Sequence, residues 1–191
     1  MQLKVYMDGL VEPVNPGGVG TYAFVIYGNG KKIKEEKGVI GEGLSNNQSE
    51  YIACIKALER LISLGLTNEP ITINSDSKLL INQLRGIYKV KSPRLLKHYQ
   101  KLKTLLSSFS DVRFRWVPRE ENKEADDLTN KAYLEYIESH PQFYNKFKKY
   151  LATGRQKELL RKLKLEFSAG ISKRKASELI KRKIWRKKLE L

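Results

Sequence analysis

The chain has 191 residues, of which 40% are hydrophobic and 30% charged, a size and balance that suit one well-cored domain with a small appendage. No run approaches the ~18 apolar residues of a membrane span, and the opening MQLKVYMDGL lacks the three-part layout of a secretion signal, so a cytoplasmic, membrane-free protein is expected. One cysteine, Cys54, forbids an internal disulfide and reads as core filler, and no Cys/His cluster exists to hold zinc. The net charge of +16 points to a polyanionic partner. That charge is uneven: residues 1–141 carry 20 Lys and Arg against 17 Asp and Glu, whereas residues 142–191 carry 17 against 4.

In chain order, LKVYMDG alternates as a strand and closes on Asp8 and Gly9, and NPGGVG at Asn15–Gly20 is a bend. TYAFVIYGNGKKIKEEKGVI holds two strands around the turn signal Gly28-Asn29-Gly30. From Ser45 the period becomes helical, with Ile52, Ile55, Leu58 and Ile62 on one face until Gly65 stops it. PITINSD is a short strand, SKLLINQL a helix, and a further helix starts near Pro93 and runs to about Ser107. VRFRWVP is the last strand, and NKEADDLTNKAYLEYIES is a helix that Asn122 can cap. Three leading strands at hairpin spacing predict antiparallel pairing, and two later strands reached through helices predict parallel pairing. An α/β fold follows: a mixed five-stranded sheet flanked by helices.

Residues 1–140 form this core, 141–152 read as a connector with partial helical character, and 153–191 as a basic helical extension. The extension holds two short amphipathic patterns, one with Leu159, Leu160 and Leu163, the other with Ala176, Leu179, Ile180 and Ile184. Gly170 breaks the chain between them and Ser172 offers a cap.

Four carboxylates occupy positions that folding alone does not favour. Asp8 closes a strand, Glu50 opens the long helix after SNNQS, Asp76 follows the ITIN strand end, and Asp126 lies within the last core helix. Singly, each has a plain alternative: Asp76 can cap the next helix and Glu50 can complement a helix dipole. Grouped, they repel unless cations neutralise them, and hard divalent ions prefer oxygen ligands and share them with phosphate. Two such ions can serve phosphodiester hydrolysis. Between neighbours, Asp127 points away from the stripe of Ala125, Leu128, Ala132 and Tyr136, whereas Asp126 flanks it and is the better ligand.

Taken together, YMDG around Asp8, NPGGVGTYAFVIY, SNNQSEYIACIKALE around Glu50, INSDSKLLINQL around Asp76 and WVPREENKEADDLTNKA around Asp126 resemble type 1 ribonuclease H, in its order and spacing over about residues 1–138. The likeness is to the compact form of archaea and some bacteria. It implies an RNase H-like sheet and an endonuclease that cuts the RNA strand of RNA/DNA hybrids, leaving 5′-phosphate and 3′-hydroxyl ends. It also implies two Mg2+ or Mn2+ ions held by Asp8, Glu50, Asp76 and Asp126, with Asn15, Gly17, Asn46, Asn47 and Gln48 toward the minor groove, where the 2′-hydroxyl marks RNA.

The chain departs from the family pattern in two places. PREEN at Pro118–Asn122 lacks the loop histidine of many members, and Arg119 can engage phosphate there without titrating near neutrality. The basic protrusion of larger members is missing from Gly86–Lys97, where Lys89 and Lys91 remain as phosphate contacts. The extension is expected to compensate, its charge binding phosphates by counterion release and Trp185 stacking on a base. A monomer is expected, and double-stranded RNA stays open as a second substrate. The rival readings are a non-catalytic hybrid- or duplex-binding protein and another nuclease of the same superfamily.

Overall fold

Alternation along β1 (Leu3–Glu12) sorts the strand between two layers. Leu3, Val5 and Met7 are buried in the main core, while Leu10 belongs to a second cluster on the opposite face. β1 is central in a computed structural model that describes residues 1–168 and 170–189; Ala169, Glu190 and Leu191 of the expected extension lie outside the described residues. The sheet runs β3-β2-β1-β4-β5, with β2 (Val19–Gly28), β3 (Lys31–Glu42), β4 (Ile71–Ser75) and β5 (Val112–Trp116). β1 pairs antiparallel with β2, and β2 with β3; β1 pairs parallel with β4, and β4 with β5. This is the expected mixed sheet. Asn29 and Gly30 take φ of 50° and 81°, the two left-handed positions that turn β2 into β3.

Ser45 caps α1 (Asn46–Ser63), and its capping box with Gln48 satisfies backbone donors of the first turn. The buried face of α1 is carried by Tyr51, Cys54, Ile55, Leu58 and Leu61. It is rotated slightly from the expected one: Ile52 is half-buried and Ile62 exposed. α2 (Lys78–Leu84) and α3 (Pro93–Leu106) follow, then a 3-10 turn over Arg119–Asn122 leads into α4 (Lys123–Ser139). On α4 the buried stripe is Ala125, Thr129, Ala132, Tyr133 and Ile137; Leu128 is half-buried, Asp126 flanks the stripe and Asp127 is exposed. Asn122 makes no cap hydrogen bond, contrary to expectation, because its side chain is used inside the site.

Residues 141–152 are packed rather than loose. α5 (Gln142–Phe147) buries Phe143 and Phe147, and with Leu151 they join Leu10, Val19, Tyr133 and Ile137 in the second cluster. α6 (Gly154–Lys162) and α7 (Lys173–Leu189) enclose a third cluster of Ala152, Leu160, Ile171, Ala176 and Ile180. Ser172 does accept from the Lys175 backbone N–H at 3.2 Å, as a cap should. Leu159 and Ile184 of the expected apolar patterns are exposed. Among the described residues no helix is long and apolar enough to cross a membrane.

Candidate active site

The β1–β4 ladder pairs Leu3 with Ile71 through Tyr6 with Asn74 and then ends. Continued for two residues, that register brings Asp8 alongside Asp76, just past the end of β4, on neighbouring parallel strands ~4.8 Å apart; Asp8 does not close its strand as expected, because β1 stays paired with β2 as far as Glu12. Gly9 admits the third acid. A Cβ there would stand 2.2 Å from the Glu50 backbone N and 2.2 Å from the Ser49 carbonyl carbon, so only glycine lets α1 rest on β1 at this point. Asp126, in the first turn of α4, supplies the fourth.

Each acid accepts a hydrogen bond from a side chain. The Thr129 hydroxyl donates to Asp8 at 2.8 Å, the Ser77 hydroxyl donates to Glu50, and Asn122 Nδ2 donates to Asp76 at 2.7 Å. Arg119 donates to Asp126 at 2.5 Å. Buried Asn122 also donates to the Met7 carbonyl at 3.0 Å, and its Oδ1 has no partner among the described residues. The Asp76 carbonyl accepts from the Trp116 indole N–H at 3.1 Å.

Neutral hydrogen-bond donors and one guanidinium do not balance four carboxylates, and the proton affinities record the deficit. Burial first, then the charges of Asp76 and Asp126, push Asp8 from its ordinary 3.8 up to about 6 against the Thr129 hydrogen bond. Glu50 rises to about 8, through burial and then the neighbouring Asp8 and Asp76, with Ser77 opposing. Burial works against the Arg119 charge, but Asp126 and, beyond it, Asp8 and Asp76 outweigh it and raise its pKa. The plain alternatives are already taken by other residues: Ser77, not Asp76, caps α2, and Ser45 with Gln48, not Glu50, closes the start of α1.

An all-oxygen donor set with uncompensated negative charge fits a hard divalent cation. Among the described residues no three Asp, Glu, His or Cys side chains already stand at metal-holding spacing.

The expected substrate-side residues fall into three places. Asn15 and Gly17 lie in the β1–β2 loop; Asn15 Oδ1 accepts from the Asn46 backbone N–H at 3.0 Å, and Asn46 Oδ1 accepts from Val11 N–H at 2.8 Å. Gln48 is buried in the capping box, whereas Asn47 is exposed. Lys89 and Lys91 are exposed between α2 and α3, and Trp185 stands 66% exposed on α7, apart from the loop. Sequence reasoning missed Thr129 and Ser77 as partners of the acids. Thr129 lies one helical turn after Asp126, a spacing that carried the signal.

A sheet of this order, with one acid on its central strand and a second just past the end of the parallel neighbour, defines an RNase H-like protein. Residues 15–132 match the family model described as "Reverse transcriptase-like". The chain is 38% identical over 120 residues to "Bifunctional protein Rv2228c" of Mycobacterium tuberculosis, covering 62% of this chain and 32% of that protein. It is 34% identical over 131 residues to "Ribonuclease HI" of Halobacterium salinarum, covering 69% and 64%. The crystal structure of LC11-RNase H1 in complex with RNA/DNA hybrid superposes with a TM-score of 0.67 at 33% identity, covering 71% of this chain and 99% of that one. The chain belongs to the type 1 ribonuclease H family. It spans about a third of the mycobacterial relatives it matches and 64% of the halobacterial one.

Proposed function

We propose that the chain is an endoribonuclease that hydrolyses the RNA strand of RNA/DNA hybrids, leaving 5′-phosphate and 3′-hydroxyl ends. The observation that carries this reading is the convergence of Asp8, Glu50, Asp76 and Asp126 from β1, α1, the end of β4 and α4, where burial first and the neighbouring acids second raise Asp8 to about 6 and Glu50 to about 8. A protein that only bound duplex would gain nothing by setting repelling acids against phosphates. The similarity to the halobacterial ribonuclease HI and to the hybrid-bound LC11-RNase H1 supports the same reading.

In this reading the four acids hold two Mg2+ or Mn2+ ions. When bound, such ions supply an activated water and stabilise the leaving oxygen. The chain's own residues do the positioning. Thr129, Ser77 and Asn122 orient three of the acids from the protein side. Arg119, exposed and paired with Asp126, is a cation that an incoming phosphate can meet and takes the place of the absent histidine as an electrostatic contact.

Asn15, Gly17, Asn46, Asn47 and Gln48 face the minor groove, Lys89 and Lys91 meet phosphates, and Trp185 stacks on a base. Residues 1–140 are the catalytic unit and 153–191 its nucleic-acid-binding extension, in a cytoplasmic monomer. The test is cleavage of labelled RNA/DNA, RNA/RNA and DNA/DNA duplexes with Mg2+ or Mn2+, with Asp8→Asn as control. Cutting of the RNA strand of the hybrid, lost in Asp8→Asn, is expected; an intact hybrid with folded protein refutes the proposal. The RNA/RNA lane decides whether double-stranded RNA is a second substrate.

A further inference from the structure

The extension is joined to the catalytic sheet close to the acids. Asp8, Leu10 and Glu12 alternate on one face of β1, and the buried Glu12 carboxylate accepts from Arg174 of α7 at 3.1 Å. Next to it, Lys175 donates to Asn130 Oδ1 at 2.6 Å, and the Asn130 amide donates to the Asp126 carbonyl, also at 2.6 Å. The first turn of α7 therefore sits one residue contact from the site.

Beside this junction runs a groove of about 460 Å³, bordered by Asn15 and Asn46 from the core, by Lys149 and Tyr150, and by Lys173 and Arg174 from α7. Among the described residues no carboxylate lines it. Lys149 and Lys173 are exposed and form no ion pair among the described residues; Lys173 Nζ donates to the Lys149 carbonyl at 2.6 Å, and Lys149 Nζ stands 4.9 Å over the Tyr150 ring. Asn15 and Asn46 use their side-chain oxygens on backbone N–H groups, so their amide N–H donors remain for a ligand.

The groove is also placed to meet a duplex held at the acids. Asn46 precedes Glu50 by one helical turn, ~6 Å along α1. Glu12 follows Asp8 by four residues, ~13 Å along β1, roughly four nucleotide steps of one strand.

We propose that this groove, built jointly by the catalytic core and the extension, holds the phosphodiester backbone of one strand of the duplex, with Lys149 and Lys173 as its phosphate contacts. An open channel with cations, amide donors and no acid suits a continuous polyanion better than a small ligand, which needs enclosure. The inference rests on the hybrid-cleaving reading for the identity of the duplex.

The test uses the full chain carrying Asp8→Asn and a fluorescein-labelled 18-base-pair RNA/DNA hybrid, with Kd measured across a KCl series. Lys149→Ala/Lys173→Ala weakens binding about tenfold and lowers the slope of log Kd against log salt by about 2, since each neutralised phosphate contributes ~0.9. Lys31→Ala/Lys34→Ala, an equal loss of charge on β3, leaves the slope in place. An unchanged slope in the groove variant, or equal losses in both variants, overturns the proposal. Cleavage by the wild-type chain is scored separately. Hybrid bound with a groove-dependent slope but never cut leaves the groove standing and removes the nuclease reading, whereas hybrid cut with an unchanged slope does the reverse.

Discussion

Glu50→Gln tests whether burial and the neighbouring acids together disfavour a charge at this position, as the structure implies. In the wild-type protein without divalent cations, the Glu50 carboxyl moves from an ordinary 4.5 to about 8, with burial the larger cause and the charges of Asp8 and Asp76 the next. The folded state therefore holds a proton that the unfolded chain has released between those two values. Stability falls as pH rises through this window and levels off above it. A carboxyl displaced that far represents at most ~5 kcal/mol; the side chain is only half-buried, so solvent screening leaves about 2–3 kcal/mol. Glutamine still accepts the Ser77 hydrogen bond but carries no charge. In EDTA the variant should match wild type near pH 4 and exceed it by about 2–3 kcal/mol at pH 9, ~5–10 °C in Tm for a chain of this size. Asp8, raised to about 6, adds its own slope below that value in both proteins, so the discriminating range is pH 6–8. The assay is urea unfolding at half-unit pH intervals with and without Mg2+, which should flatten the wild-type slope. Parallel profiles for the two proteins between pH 6 and 8 would refute the argument.

The other substitutions act on geometry and binding. Gly9→Ala forces a Cβ to within 2.2 Å of the Glu50 backbone and must lift α1 from β1; a loss of about 2–3 kcal/mol and of nearly all activity is expected, read by denaturation and by hybrid cleavage. Arg119→Ala removes the cation paired with Asp126 and should slow turnover about tenfold or more, an effect measured by steady-state kinetics; retention of both kcat and KM would make Arg119 a surface residue only. Deleting residues 153–191 should raise KM and weaken its salt dependence, checked at several KCl concentrations, and should lower Tm, because buried Glu12 loses Arg174 and the Tyr133 hydroxyl loses the Gly170 carbonyl. Arg174→Ala alone should cost about 1–2 kcal/mol, most of it recovered by adding Glu12→Gln, a double-mutant cycle read by thermal unfolding.

Local features were legible in the sequence wherever a short-range rule governs them. Hairpin spacing around Asn29-Gly30 foretold the antiparallel half of the sheet, and SNNQS foretold a helix start that Ser45 does cap. Helical angle chose Asp126 over the exposed Asp127. Features that depend on contacts distant in sequence were not legible. Asn122 reads as a helix cap because its neighbours are helical, yet it reaches Asp76, 46 residues away, and Met7, 115 residues away. Phe143 and Phe147 look like part of a linker until Leu10 and Val19 are seen beneath them.

Glu12 shows how such a contact ties the extension to the chemistry. From sequence it is one acid at a strand end before a proline, with nothing to separate it from a solvated side chain. It is instead 3% exposed and faces Arg174, 162 residues on. A buried carboxylate is costly without a cation, so the strand that carries Asp8 is best satisfied when α7 is docked. Docking α7 in turn fixes Lys173 beside Asn15 and Asn46 and Lys175 against the helix that carries Asp126. The basic segment is thus held in one orientation by an acid of the catalytic sheet. The charges of Lys173, Arg174 and Lys175 are therefore fixed close to the acids.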